Sequence, residues 1–147
     1  MKYFVFDEFV KSDTANKLNI DNTPKDDTII ENINEVMEVM DIIREKWTVY
    51  CKEHNYKKPQ IIVNSGYRCE TLNKAVGGSK TSSHRFGSAV DYEAQNGHNT
   101  ELYKVTQDTL YNEGIKFDQL IDENNMSWIH LGLKGKNNER RMQIKKL

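Results

Sequence analysis

The chain has 147 residues, 37% of them hydrophobic and 29% charged, with a net charge of −1 and only two prolines. That length makes one domain, and the balance excludes a disordered chain even though the mean hydropathy is −0.79. No run of about 18 apolar residues exists to span a membrane, and the start, Met1 to Glu8, lacks an apolar stretch leading to a small-residue cleavage site. The expected setting is the cytoplasm of the producing cell, without membrane insertion.

In chain order, residues 6–18 read as a short helix closed by the turn Ile20-Asp21-Asn22-Thr23-Pro24. Asp27 or Thr28 can cap a long helix over 28–54. There Ile29, Ile33, Val36, Met37, Met40, Ile43, Trp47 and Tyr50 recur at steps of three and four, which makes one apolar face for core packing. Pro59 ends this helical third, and Gln60 to Asn64 has the β-branched run of a short buried strand. Glu70 to Val76 predicts a brief helix ended by Gly77-Gly78, and residues 88–93 a second strand. Residues 99–112 carry Leu102, Val105, Leu110 and Tyr111 at helical spacing and predict a crossover helix stopped by Gly114. The last two strands, 117–123 and 128–133, form a hairpin through the loop Asn124-Asn125-Met126-Ser127. The class is α+β: helices packed on a small antiparallel sheet.

The two cysteines, Cys51 and Cys69, form no Cys-x-x-Cys pair and read as reduced thiols. Six basic residues against Glu139 leave residues 134–147 at +5, so residues 1–133 carry −6 of the chain's −1. This end reads as a solvated basic tail behind a single domain of 1–133. It has no interleaved aromatics for base stacking, so a nucleic-acid partner is not expected.

Chemistry gathers at Ser82-Ser83-His84-Arg85-Phe86-Gly87-Ser88-Ala89-Val90-Asp91 and at Trp128-Ile129-His130. His84, Asp91 and His130 supply two imidazoles and a carboxylate, a donor set suited to Zn²⁺ that leaves a fourth tetrahedral position open. Strand alternation puts Trp128 and His130 on one face, with Ile129 and Leu131 on the other, and Gly87 permits a tight reversal between His84 and the strand of Asp91. His54 and His98 stand in polar, turn-like contexts and read as surface residues.

The Ser-x-His-x-x-Gly-x-Ala-x-Asp string and the Trp-Ile-His element resemble those of the zinc D-alanyl-D-alanine carboxypeptidase and peptidoglycan endopeptidase family, whose fold is shared with the hedgehog signalling domain. Ser65-Gly66-Tyr67-Arg68 and Leu72-Asn73-Lys74-Ala75-Val76-Gly77-Gly78 are similar to the segment before the first ligand in the phage and prophage branch. Phe9 to Pro24 also resembles the start of that branch, so the likeness covers about residues 6–133. It implies a zinc site of His84, Asp91 and His130 on a small antiparallel sheet. Arg68 matches the family arginine that faces substrate, where a guanidinium can grip a carboxylate or a developing oxyanion. Ser65 and Trp128 are further candidates for substrate contact, Trp128 as a cleft wall, while Ser65 and Asn73 can also hold the loop in shape.

Many relatives carry their acidic base three positions before the last histidine, where this chain has Ser127. Glu123 and Asp122, at the end of the preceding strand, are the remaining candidates. Alternation groups Gln119, Ile121 and Glu123 on one face and Asp118, Leu120 and Asp122 on the other, and Glu123 is the first choice. The implied function is a zinc metallopeptidase cleaving peptidoglycan stem peptides or cross-links, encoded by a phage or prophage and acting after release or within a phage particle. Ser127 sustains an alternative, a non-catalytic zinc-stabilised module that binds cell wall or builds a virion.

Overall fold

The computed structural model describes residues 2–147. The expected first helix is broken in two: a 3-10 turn at Phe6–Phe9 and helix α1 at Asp13–Lys17, whose cap is the Ser12 hydroxyl accepting from the Ala15 N–H. The break has a physical cause. Phe9 is buried, and its carbonyl accepts from the Tyr67 N–H at 2.7 Å, so this stretch is committed to a tertiary contact instead of a continuing helix.

Helix α2 runs Asp27–Glu53 and is capped one residue earlier than expected, by Asp26, whose carboxylate accepts from Thr28 and Ile29. Its stripe of Ile33, Val36, Met37, Met40, Ile43 and Trp47 is buried, as the periodicity requires. The strands are β1 (Ile61–Ser65), β2 (Ala89–Ala94), β3 (Gln119–Glu123), β4 (Trp128–Gly132) and β5 (Gln143–Lys146); α3 (Glu70–Ala75) follows β1 and α4 (Asn99–Asn112) joins β2 to β3. The sheet order is β1-β2-β4-β3-β5. Helix α4 therefore carries the chain past β4, the crossover that its place in the sequence predicts, and the Tyr92 and Thr106 hydroxyls join it to β2 at 2.7 Å.

Val90, Tyr92, Leu120, Ile129 and Leu131 are fully buried and belong to the same core as the α2 stripe. The opposite face of these strands carries Asp91, His130 and Ile121 in one cross-strand row.

The sheet is mixed, not antiparallel as expected, because β5 pairs in parallel with β3. The basic segment 134–147 folds back to make that strand. Arg141 grips the buried Asp118 with two contacts at 2.8 and 2.9 Å, while Arg140 and Lys134 both reach Glu35 on α2, at 2.6 and 3.3 Å. Half of the six positive charges in this segment are thus matched by carboxylates, and the edge of β3 gains a backbone partner. Among the described residues no helix is long and apolar enough to cross a membrane.

Candidate metal centre and its cleft

Local sequence sets each side chain of the site. The Ser82 hydroxyl accepts from the His84 N–H and opens a 3-10 turn, Ser83–Phe86. Gly87 closes it at φ 75°, and a Cβ there would stand 2.8 Å from the Ile29 carbonyl oxygen, so only glycine makes this reversal into β2. His84 is nearly inaccessible, at 3% exposure, and its Nδ1–H donates to the Gly66 carbonyl at 2.7 Å. That bond fixes the tautomer and leaves the Nε2 lone pair as the free donor, the usual way an imidazole ligand is oriented. Gly66 is itself pressed against Phe9, since a Cβ would lie 2.3 Å from the Phe9 carbonyl oxygen.

The pairing of β2 with β4 places Asp91 directly opposite His130. His130 Nδ1 lies 2.8 Å and His84 Nε2 3.3 Å from the same Asp91 oxygen, while Arg68 Nη2 is 3.4 Å from the other. Burial alone would raise the Asp91 pKa, but the neighbouring imidazoles of His84 and His130 outweigh it and hold the carboxyl well below its ordinary range. Burial pushes the His84 imidazole down, against the pull of Asp91, and so favours its neutral form. A carboxylate and a neutral imidazole are the protonation states that bind a metal.

Around this centre opens a cleft of about 660 Å³. Arg68, Glu123 and Trp128 line it together with the three clustered residues. Glu123 pairs with Trp128 across β3 and β4, and so stands diagonal to His130 on the same face. Asp122 turns to the other face, where it is buried and accepts from the Met126 N–H at 2.7 Å, capping the hairpin loop. Ser127 gives its hydroxyl to the Asn124 carbonyl and is not among the cleft residues. Ser65 is also outside the lining: its hydroxyl accepts from Arg68 Nε at 3.0 Å, and Asn73 Oδ1 takes Arg68 Nη1 at 3.4 Å, so both hold the guanidinium. His54 and His98 lie apart, stacked on Tyr50 and Tyr56.

Reading the sequence missed Asn22. This buried amide donates to the Val10 and Tyr67 carbonyls and accepts from the Cys69 N–H, so two of its three bonds bracket Arg68 and the third ties that loop to the N-terminal segment. Its place in the Ile20–Pro24 turn was the only available signal. Also missed was the cleft wall formed by Gly135, Lys136, Asn137, Glu139 and Arg141, which lies in the segment read as a tail.

A family model described as Peptidase M15 matches residues 2–132, nearly the whole chain. The chain belongs to the Peptidase M15 family. No curated protein matches it. Membership sets it among zinc-dependent peptidases that act on substrates of the peptidoglycan type. The donors fit that metal. The ligand atoms of His84, Asp91 and His130 all lie within 4.8 Å of one another, and the two contacts on Asp91, 2.8 and 3.3 Å, are close to the ~3.3 Å that separates tetrahedral zinc ligands at ordinary bond lengths. In this M15 chain the cluster could offer three protein donors, the number that leaves a coordination position for chemistry.

Proposed function

We propose that the chain is a zinc metallopeptidase that hydrolyses peptide bonds in peptidoglycan stem peptides or cross-links, of the D-Ala-D-Ala carboxypeptidase or endopeptidase type, and that it is phage or prophage encoded. The observation that carries this reading is the convergence of His84, Asp91, His130, Glu123 and Arg68 on one cleft in a chain that matches Peptidase M15 over residues 2–132. The phage assignment rests on the likeness of Ser65 to Gly78 to that branch.

His84, Asp91 and His130 would hold the zinc, which supplies Lewis acidity and an activated water near neutral pH. Glu123 would take the proton from the attacking water at its carboxylate and return it to the leaving amine. Its diagonal position supports this role, since such neighbours lie ~7–8 Å apart and a glutamate can span that gap. Arg68, held by Ser65, Asn73 and Asp91, presents its guanidinium to the substrate carbonyl or to a terminal carboxylate. Trp128 walls the cleft beside Glu123.

The test is digestion of purified peptidoglycan by the full chain. Release of new amines or D-alanine, abolished by a chelator and restored by zinc, is the expected result. Zinc binding without release would leave the alternative, a wall-binding or virion module, to which Ser127 in place of the usual acid lends its support.

A further inference from the structure

We infer that residues 135–141, which lie beyond the family-matched span, form the substrate-selecting wall of the cleft, and that Lys136 on this wall binds a carboxylate of the peptide substrate. The inference rests on the peptidase reading and deepens it. The clustered residues sit on β2 and β4, in the middle of the sheet. Toward β1 the cleft is bounded by Arg68 and by the uncharged stretch Val76 to Gly78 with Ser79 and Thr81 to Ser83. Toward β3 and β5 it is bounded by Asp118, Gln119 and the loop 135–141. The two sides offer a substrate different chemistry.

This loop is built, not loose. The Gly135 N–H donates to the Glu139 carbonyl at 2.9 Å, the Asn138 N–H to the Gly135 carbonyl at 3.0 Å, and the Asn137 N–H to the Glu139 carboxylate at 2.7 Å. A Cβ on Gly135 would meet that carboxylate at 2.2 Å, so the turn closes tightly on Glu139. Both ends are pinned, by Lys134 and Arg140 on Glu35 and by Arg141 on Asp118.

The same bonds dispose of the neighbouring cations. Lys134, Arg140 and Arg141 are each committed to a carboxylate, and Arg68, paired with Asp91 on the opposite side of the cleft, already has its role beside the reacting carbonyl. Among the described residues, Lys136 is the cleft-lining cation that enters no ion pair, and it is exposed. Glu139, next to it on the loop, forms no ion pair with it, and its carboxylate accepts from the Asn137 N–H instead. A lysine at the rim of a fixed turn presents a point charge on a flexible stem, which suits a carboxylate whose position varies between peptides. The ligand class is a peptide with a free carboxylate away from the bond that is cut.

The experiment uses the zinc-loaded full chain and two synthetic stem-type peptides that differ only in one group, a free carboxylate or its amide. The ratio of kcat/KM for acid over amide is measured for the wild type, Lys136→Ala, Lys136→Glu and the control Lys145→Ala. The acid should be preferred by the wild type and by Lys145→Ala. The preference should fall roughly three- to fivefold in Lys136→Ala and about tenfold in Lys136→Glu, with the change carried by KM. A wild type indifferent to the two peptides, or a Lys136→Glu chain that keeps the wild-type ratio, overturns the inference. Should the wild type cut neither peptide, the peptidase reading fails separately. Fluorescence anisotropy with the same labelled peptides then decides: a Lys136-dependent preference in binding upholds the inference, and its absence overturns it.

Discussion

Replacing Asn22 with alanine removes the amide that fastens the N-terminal turn to the loop carrying Arg68. The side chain is 8% exposed, and its three bonds run to the Val10 carbonyl at 2.7 Å, the Tyr67 carbonyl at 2.9 Å and the Cys69 N–H at 2.7 Å. Each net bond is worth about 0.5–1.5 kcal/mol, and a buried group left unpaired costs about 1–3 kcal/mol. Water can reach part of the space that alanine vacates, so the expected loss lies near the lower sum, at about 2–4 kcal/mol. Urea unfolding should show a lower midpoint with an unchanged slope. Asn22→Asp retains the acceptor for Cys69 but turns a carboxylate toward two carbonyls, and should be at least as costly. Because Gly66 and Arg68 flank the anchored residue Tyr67, zinc affinity and kcat/KM should fall as well. A loss under about 0.5 kcal/mol, with zinc affinity intact, would refute the argument that these bonds hold the loop.

Glu123→Gln should lower the rate of peptide cleavage by roughly 10²–10⁴ while zinc stays bound, whereas His84→Ala should lose metal and activity together; near-normal cleavage by the glutamine variant removes Glu123 as the base. Stability should also depend on pH through the C-terminal segment. Burial works to raise the pKa values of Glu35 and Asp118, but Arg140 with Lys134 outweighs it for the first and Arg141 for the second, and both carboxyls are lowered. A group lowered in the folded state stabilises it fully above its ordinary value, and that contribution disappears as pH falls through the lowered one. The thermal midpoint should therefore drop below about pH 4, and the double variant Glu35→Gln, Asp118→Asn should lose stability at neutral pH and show a shallower acid limb.

The parts of the molecule that bury side chains in a regular period could be read before any coordinates. The α2 stripe is one, and the alternation that turns Trp128, His130 and Glu123 to one face and Ile129, Leu131 and Asp122 to the other is the second. Both follow from burial of one face. The segment 134–147 resisted because β5 is an edge strand whose Ile144, Lys145 and Lys146 remain exposed, so its sequence carries no burial pattern. Its anchors are also remote: Arg140 meets Glu35 across 105 residues and Arg141 meets Asp118 across 23. Asn22 left no periodic trace either, since it acts on three backbone groups from a turn. The early break at Phe9 arises from its bond to Tyr67, a contact that helix propensity does not encode.

The row formed by Ser65, Asp91, His130 and Ile121 across four adjacent strands would tie the proposed metal capture to the correctness of strand pairing. A slip of one residue in β4 would exchange His130 for Ile129 or Leu131 on the cleft face, and the same slip would carry an imidazole into the helix-packed core. Misregistered molecules would consequently be both unstable and unable to gather the three donors. If these three residues hold zinc as proposed, its uptake by a refolding chain should mark only those molecules whose sheet has closed in the native register.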